Sequence, residues 1–223
     1  MQLIRGLQNL KKQSGCVLTI GNFDGIHTGH QKIIKSLVSK AKTLGVPSLI
    51  ISFSVPPQSF FGRPKARLSS FRDKHLFLES LGVEKHLLIH FNKSFSQMSA
   101  QSFVEDVLLA TLKMQYCFIG DDFRFGKDRQ GDYSMLESMA KNNGFVAIKV
   151  KRVTLNEQRV SSSEIRRLLR LGEFKMAEQL LGRPLQSGVE SYTEKKEAEP
   201  LAFLPLTSPL EEGLVQFLGF LQF

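Results

Sequence analysis

Two histidines three positions apart, His27 and His30, follow the apolar run Cys16-Val17-Leu18-Thr19-Ile20 and a turn punctuated by Gly21, Gly25 and Gly29. Directly after them Ile33, Ile34, Leu37, Val38 and Ala41 recur at helical spacing, so both imidazoles fall near a helix start. That layout suits an anion. Glycines admit close approach of backbone to a ligand, and a helix start offers unpaired N–H groups and partial positive charge. Two imidazoles there can hold a reacting phosphoryl group, which makes the stretch a candidate nucleotide site. The competing readings are polar surface histidines beside a turn, and zinc ligands. The zinc reading lacks an accompanying cysteine or acidic set, because the two cysteines, Cys16 and Cys117, stand far apart.

A second constellation, Ser161-Ser162-Ser163-Glu164-Ile165-Arg166-Arg167, opens an amphipathic helical pattern over residues 161–171. Capping accounts for one serine. Three serines with Arg166 one turn on bring hydroxyls, backbone donors and a guanidinium to one anion site. A merely capped helix is the alternative. A third stretch, residues 120–132, is polar and glycine-bounded and follows a strand, at the edge where open α/β sheets bind ligands.

The elements that must position these groups alternate. Apolar runs at Cys16–Ile20, Ser48–Phe53 and residues 85–91, 116–119 and 145–150 are expected strands. Helical patterns follow the histidines up to Gly45 and occupy residues 71–81, 103–112, 133–141 and 161–171. Residues 55–68, rich in Pro, Gly and aromatics without periodicity, are expected to form a long functional loop. Strands and helices alternating over such short connections imply an α/β fold with a doubly wound, Rossmann-like parallel sheet.

At 223 residues the chain suffices for one sizeable domain and a remnant, and 42% hydrophobic content is ordinary for a soluble protein. The net charge of +9 is scattered, and the chain has no tryptophan and three tyrosines to serve as stacking platforms, which argues against nucleic acid. A basic balance suits anionic, polyphosphate substrates instead. Both cysteines fall in expected strands, as reduced core residues of a cytoplasmic protein would. Residues 1–12 have no continuous apolar core, so neither a signal nor a membrane span is expected there, and no protein partner is evident.

The string G-N-F-D-G-I-H-T-G-H at residues 21–30 resembles the H-x-G-H signature of the nucleotidylyltransferase superfamily, in the form found in bacterial FAD synthetases. The serine-rich helix start is similar to that family's S-S-T-x-I-R motif, with Ser163 for threonine. Gly120-Asp121-Asp122-Phe123-Arg124-Phe125-Gly126 looks like its G-x-D-F-R-F-G loop, and Leu180-Leu181-Gly182-Arg183-Pro184 like its L-L-G-R-P junction. After the second strand the family's F-E-P-H-P pattern becomes Phe53-Ser54-Val55-Pro56-Pro57, without the acidic residue. The resemblance implies an FMN adenylyltransferase over residues 1–184, joining MgATP and FMN into FAD and pyrophosphate. It implies His27, His30 and Arg166 as catalytic, and Gly21, Asn22, Phe23, Asp24, Gly25, Ser161, Ser162 and Ser163 as nucleotide-binding. Pro57, Phe61, Asp122 and Phe125 would lie at the flavin, whose isoalloxazine needs apolar or aromatic faces. A non-catalytic flavin- or nucleotide-binding remnant and another H-x-G-H enzyme remain the alternatives.

In the bifunctional relatives the junction leads into a riboflavin kinase barrel carrying G-F-P-T-A-N-I-P-L, a stretch this sequence lacks. Read one base out of register, the codons of residues 200–210 can encode F-G-F-P-T-A-N-I-P-L. Residues 185–223 are therefore expected to be a frameshifted remnant of the kinase, or else a divergent terminus, with kinase activity lost.

Overall fold

A computed structural model describes residues 1–11, 14–155 and 158–185, which hold both cysteines and all three motif regions. Of the expected tail, residues 186–223 lie outside the described residues. In chain order come β1 (Gln2–Arg5), β2 (Cys16–Ile20), α1 (Thr28–Leu44), β3 (Ser48–Phe53), α2 (Pro57–Phe60), α3 (Phe71–Ser80), β4 (Lys85–Ile89) and α4 (Lys93–Ser96). They are followed by α5 (Ala100–Ser102), a π-helical stretch (Phe103–Thr111), β5 (Met114–Gly120), α6 (Tyr133–Asn143), β6 (Val146–Val150), β7 (Thr154–Leu155), β8 (Gln158–Arg159), α7 (Ser162–Arg170) and α8 (Phe174–Leu181).

Six strands form one sheet in the order β1-β4-β3-β2-β5-β6, and every pairing in it is parallel. The central strands are apolar at successive positions because helices cover both faces of the sheet. Alternate side chains then separate into two cores. Leu18, Ile20, Leu49, Ile51 and Leu87 pack with Phe103, Val104, Leu108 and Leu136 on one face. Val17 and Ile50 pack with Ile34, Leu37 and Ala41 of α1 and Leu78 of α3 on the other. Cys16 and Cys117 are free and buried within the first core, and burial pushes the Cys16 thiol up to about 12.

The chain winds outward from β2 through β3 to β4, then returns to β5 and β6 on the far side of β2. The strand order therefore reverses between β2 and β5, and at such a reversal the loops leaving the carboxyl ends diverge and open a crevice. The glycine turn leaves β2 and the Gly120 loop leaves β5, so the two flank that reversal. The elements not expected from sequence include edge strand β1, the antiparallel β7–β8 hairpin, and α8, which packs with α7 around Ile165, Leu168, Leu169 and Leu180; the short helix α2 lies within the stretch expected to be a loop, and α4 and α5 were not expected either. Among the described residues no helix is long and apolar enough to cross a membrane.

Candidate active site

The turn between β2 and α1 has a left-handed backbone at Phe23 (φ 49°), Gly25 (φ 80°) and Ile26 (φ 41°). Glycine adopts this conformation freely, whereas phenylalanine and above all β-branched isoleucine do so only under constraint from their surroundings. Burial of both side chains in the α1-side core supplies part of that constraint. The rest comes from hydrogen bonds to carbonyls. Lys74 Nζ of α3 donates to the Asn22 carbonyl at 3.2 Å, and Ser162 Oγ of α7 to that of Asp24 at 2.8 Å. Arg183 Nη2, beyond α8, donates to the Gly25 carbonyl at 3.0 Å, and Gln31 Nε2 of α1 to that of Ile26 at 2.9 Å. The Asp24 carboxylate accepts from Leu68 N at 3.0 Å and pairs with Arg166.

His27 ends this turn as the N-cap of α1, its Nδ1 accepting from the His30 backbone N–H at 3.3 Å. An Nδ1 that accepts leaves the proton of the neutral ring on Nε2, so His27 presents a donor at its outer edge. The His30 ring stacks on it with centroids 3.7 Å apart and planes 16° from parallel, and Phe23 meets His30 edge-on at 5.1 Å. His30 is thus partly buried between two rings rather than solvent-facing, and its Nδ1 is buried without a partner. Burial, with the charge of Arg159, pulls His27 down to about 4, while burial and the neighbouring His27 and Lys74 hold His30 well below the ordinary imidazole value. At neutral pH the pair is uncharged. It can supply N–H donors, supported by the α1 dipole, to an oxyanion at the crevice.

The serines divide their work. Ser161 caps α7 by accepting from Glu164 N at 3.1 Å, Ser162 holds the Asp24 carbonyl, and Ser163 is exposed. Arg166 donates from Nε to the Ala66 carbonyl at 2.6 Å, from Nη1 to the Ser162 carbonyl at 3.1 Å, and pairs with Asp24. The structure therefore brings the first two motifs together: the α7 start is built into the turn that carries the histidines, and Arg166 retains two of its five N–H donors.

The third motif lies across the crevice. Asp121 pairs with Arg152, in the link between β6 and β7, and Asp122 with Arg159 of β8, while the Asp122 carboxylate stays 58% exposed. Phe125 does not face a cleft. It is buried at 8% exposure, bridges Gly131, packs near Phe103 and stacks on Phe123 at 5.5 Å, because core contact is the cheaper home for a phenylalanine in a polar loop. Pro57 begins α2, and Phe61 beyond it is 62% exposed, its ring edge-on to Phe60 at 5.1 Å and Phe91 at 5.9 Å. Phe91 in turn meets Phe53 at 5.7 Å and Phe95 at 5.6 Å, making an aromatic row beside the carboxyl ends of β3 and β4.

Between that row and the histidine turn lies a cleft lined by Asn22, Asp24, Lys65, Arg67, Lys74 and Arg166, with Ser54 and Phe53 at its far side. Four cations face one carboxylate. Burial pulls Lys74 down to about 8. Asn22 Oδ1 is buried here without a hydrogen-bond partner. Lys65 and Arg67 come from the long loop expected to be functional, and Arg183 belongs to the junction motif at residues 180–184, which by itself pointed to no site role. Lys74 and Gln31 carry no signal in the sequence, because each looks like an ordinary polar position of a helix. Among the described residues no group of three or more His, Cys, Asp or Glu side chains is placed to hold a metal ion.

A parallel doubly wound sheet whose switch point carries a donor-rich helix start and a basic cleft defines a nucleotide-handling α/β domain. The sequence matches the FAD synthetase family over residues 9–164, and the chain belongs to that family. It is 40% identical over 187 residues to the bifunctional riboflavin kinase/FMN adenylyltransferase of Haemophilus influenzae, covering 82% of this chain and 61% of the relative. It is 42% identical to the protein of the same name from Pseudomonas fluorescens, over 83% of this chain and 60% of the relative. The chain thus spans about 60% of the length of these curated relatives. A crystal structure described as a macrolide-efflux protein from Streptococcus pneumoniae is similar with a TM-score of 0.72 at 25% identity, over 82% of this chain and 62% of that one.

Proposed function

We propose that this chain is an FMN adenylyltransferase that converts ATP and FMN to FAD and pyrophosphate, acting in the cytoplasm. A phosphate oxygen of FMN attacks the α-phosphorus of MgATP, the bond from that phosphorus to the β-phosphate oxygen breaks, and pyrophosphate leaves with its magnesium. No covalent enzyme intermediate is required, so positioning and charge stabilisation carry the catalysis. The observation that carries this reading is the stacked, uncharged pair His27 and His30 at the α1 start, beneath the switch point. Neutral donors fixed by packing stabilise the charge that grows on the α-phosphate without needing to lose a proton.

The basic cleft of Lys65, Arg67, Lys74 and Arg166 would hold the phosphates, with Ser163 and the free donors of Arg166 toward the leaving pyrophosphate. Asn22 Oδ1, an acceptor without a donor, would help place the nucleotide. Phe61, with Phe60 and Phe91, offers the exposed aromatic face on which an isoalloxazine can lie, with Pro57 and Asp122 nearer its margins. The buried Phe125 would support that region from below rather than touch the ring.

The test is incubation of the purified chain with MgATP and either FMN or riboflavin, with the flavins separated by chromatography. FAD should form from FMN, and riboflavin should yield neither FMN nor FAD. Saturable FMN binding without FAD would leave only a flavin-binding remnant, and adenylyl transfer to pantetheine phosphate but not to FMN would make the chain a different H-x-G-H enzyme.

A further inference from the structure

Arg183 stands outside the cleft and outside the histidine and serine motifs, in the junction that follows α8, yet its guanidinium reaches the Gly25 carbonyl, 158 residues earlier in the chain. Gly25 and Ile26 are two of the three left-handed residues of the turn, and the peptide between them leads directly into the cap residue His27. The arginine lies over the Phe77 ring at 5.0 Å, and its Nε is buried without a partner. Burial lowers its affinity for a proton, against the pull of Asp73. A half-buried cation with an unsatisfied N–H is a costly way to fill space beside a phenylalanine, and an apolar side chain would fill it better. What an apolar residue cannot do is donate to the Gly25 carbonyl.

The neighbouring contacts have the same destination. Thr28 Oγ1 donates to the Leu180 carbonyl at 3.1 Å, and Gln31 Nε2 spans the Ile26 carbonyl and the Leu181 carbonyl at 2.8 Å, so the last carbonyls of α8 are satisfied by the first turn of α1. Gly182 closes α8 in a left-handed conformation (φ 69°), and a Cβ there would come within 2.7 Å of Thr28 Cγ2, so only glycine lets α8 sit this close. The close approach delivers Arg183 to the turn.

Resting on the reading of His27 and His30 as the phosphoryl-binding pair, we propose that Arg183 is a positioning residue for adenylyl transfer. Through the Gly25 carbonyl it fixes the strained turn that sets the direction of the His27 imidazole. Arg183 touches neither substrate, so its loss should reduce turnover far more than ATP affinity.

The test compares wild type, Arg183→Ala and Arg183→Lys. For Arg183→Ala, kcat should fall by about 10²-fold, the cost of misplacing a catalytic group by an ångström or so. KM for ATP should stay within about threefold, and added guanidinium should restore part of kcat in the variant only. Lysine cannot reproduce the fork, so Arg183→Lys should lose about tenfold in kcat while remaining folded. An independent readout needs no turnover. In ¹⁵N-labelled free protein the His27 ring should carry its proton on Nε2 in the wild type, and Arg183→Ala should shift that ring toward mixed tautomers. Unchanged kcat in a folded Arg183→Ala overturns the proposal, and so does an unchanged His27 tautomer pattern in that variant. If Arg183→Ala fails to fold, unchanged kcat and His27 pattern in Arg183→Lys overturn it. A wild type that makes no FAD while its His27 pattern responds to Arg183 would instead overturn the adenylyltransferase reading and leave the positioning role standing.

Discussion

His27 and His30 owe their chemistry to being uncharged. Burial and the cationic neighbours Arg159 and Lys74 disfavour the imidazolium form, so each ring keeps a single N–H donor across the physiological range, the His27 lone pair being taken by the His30 backbone N–H. His30→Ala should lower kcat for FAD formation by about 10²- to 10³-fold, the size of losing one preorganised oxyanion donor. Because His30 packs between His27 and Phe23, the melting temperature should also fall by a few degrees. Complete loss of helical circular dichroism would make the residue structural instead. Lys74 titrates within reach of assay conditions. Its ammonium loses its proton as pH rises through about 8, and with it the charge beside Asn22. We expect kcat/KM for ATP to decline above about pH 8 in the wild type, whereas Lys74→Met should be low and flat across that limb. A variant that retains the decline would remove Lys74 from the titration.

At the scale of elements, the starts of α1 and α7 are joined through the turn after β2. Asp24 within it pairs with Arg166 of α7, with side chains only 20% and 15% exposed, so this pair is screened less than a surface ion pair. A double-mutant cycle should show it. Asp24→Asn and Arg166→Lys should each raise KM for ATP and lower kcat. The double variant should be little worse than either single one, because both remove the same tether. Full additivity would mean that the two side chains act apart. The elements that did not follow from the sequence explain themselves physically. Strand β1 is four residues long at a sheet edge, where one-sided burial gives too short an alternation to stand out. The β7–β8 hairpin consists of two-residue strands, too short for any alternation to show, with Leu155 packed toward the α7–α8 cluster and Arg159 paired with Asp122. Phe123 and Phe125 resemble ligand-facing aromatics until the loop is seen to pack Phe125 against Phe103 and stack Phe123 on Phe125.

For the whole molecule, acid is the expected weakness. In the unfolded chain imidazoles take up protons near pH 6.5, but in the folded one burial holds His27 at about 4, His86 at about 3 and His30 well below its ordinary value. Between these limits the unfolded state binds more protons, so stability falls as pH drops from about 6.5 toward 4. Denaturant midpoints should follow that slope, and His86→Gln, which removes one of the three buried imidazoles, should flatten it; a midpoint independent of pH over that range would show that other groups compensate. Deleting residues 186–223 should leave FAD formation intact, since the described contacts that build the site end at Arg183. Collapse of activity on that deletion would make the tail part of the domain. By itself the sequence determined the parallel α/β sheet, the helix start carrying His27 and His30, and the family. These depend on neighbours in the chain: continuous apolar runs for strands buried on both faces, and glycines and serines for turn and cap. Only the tertiary structure decided that the Asp24 carboxylate is held by Arg166, 142 residues away, and the Gly25 carbonyl by Arg183, 158 away. It also decided that the imidazoles are neutral and that Phe125 is core. Those outcomes depend on where α7 and α8 dock and on how much water reaches each group, which no local pattern encodes.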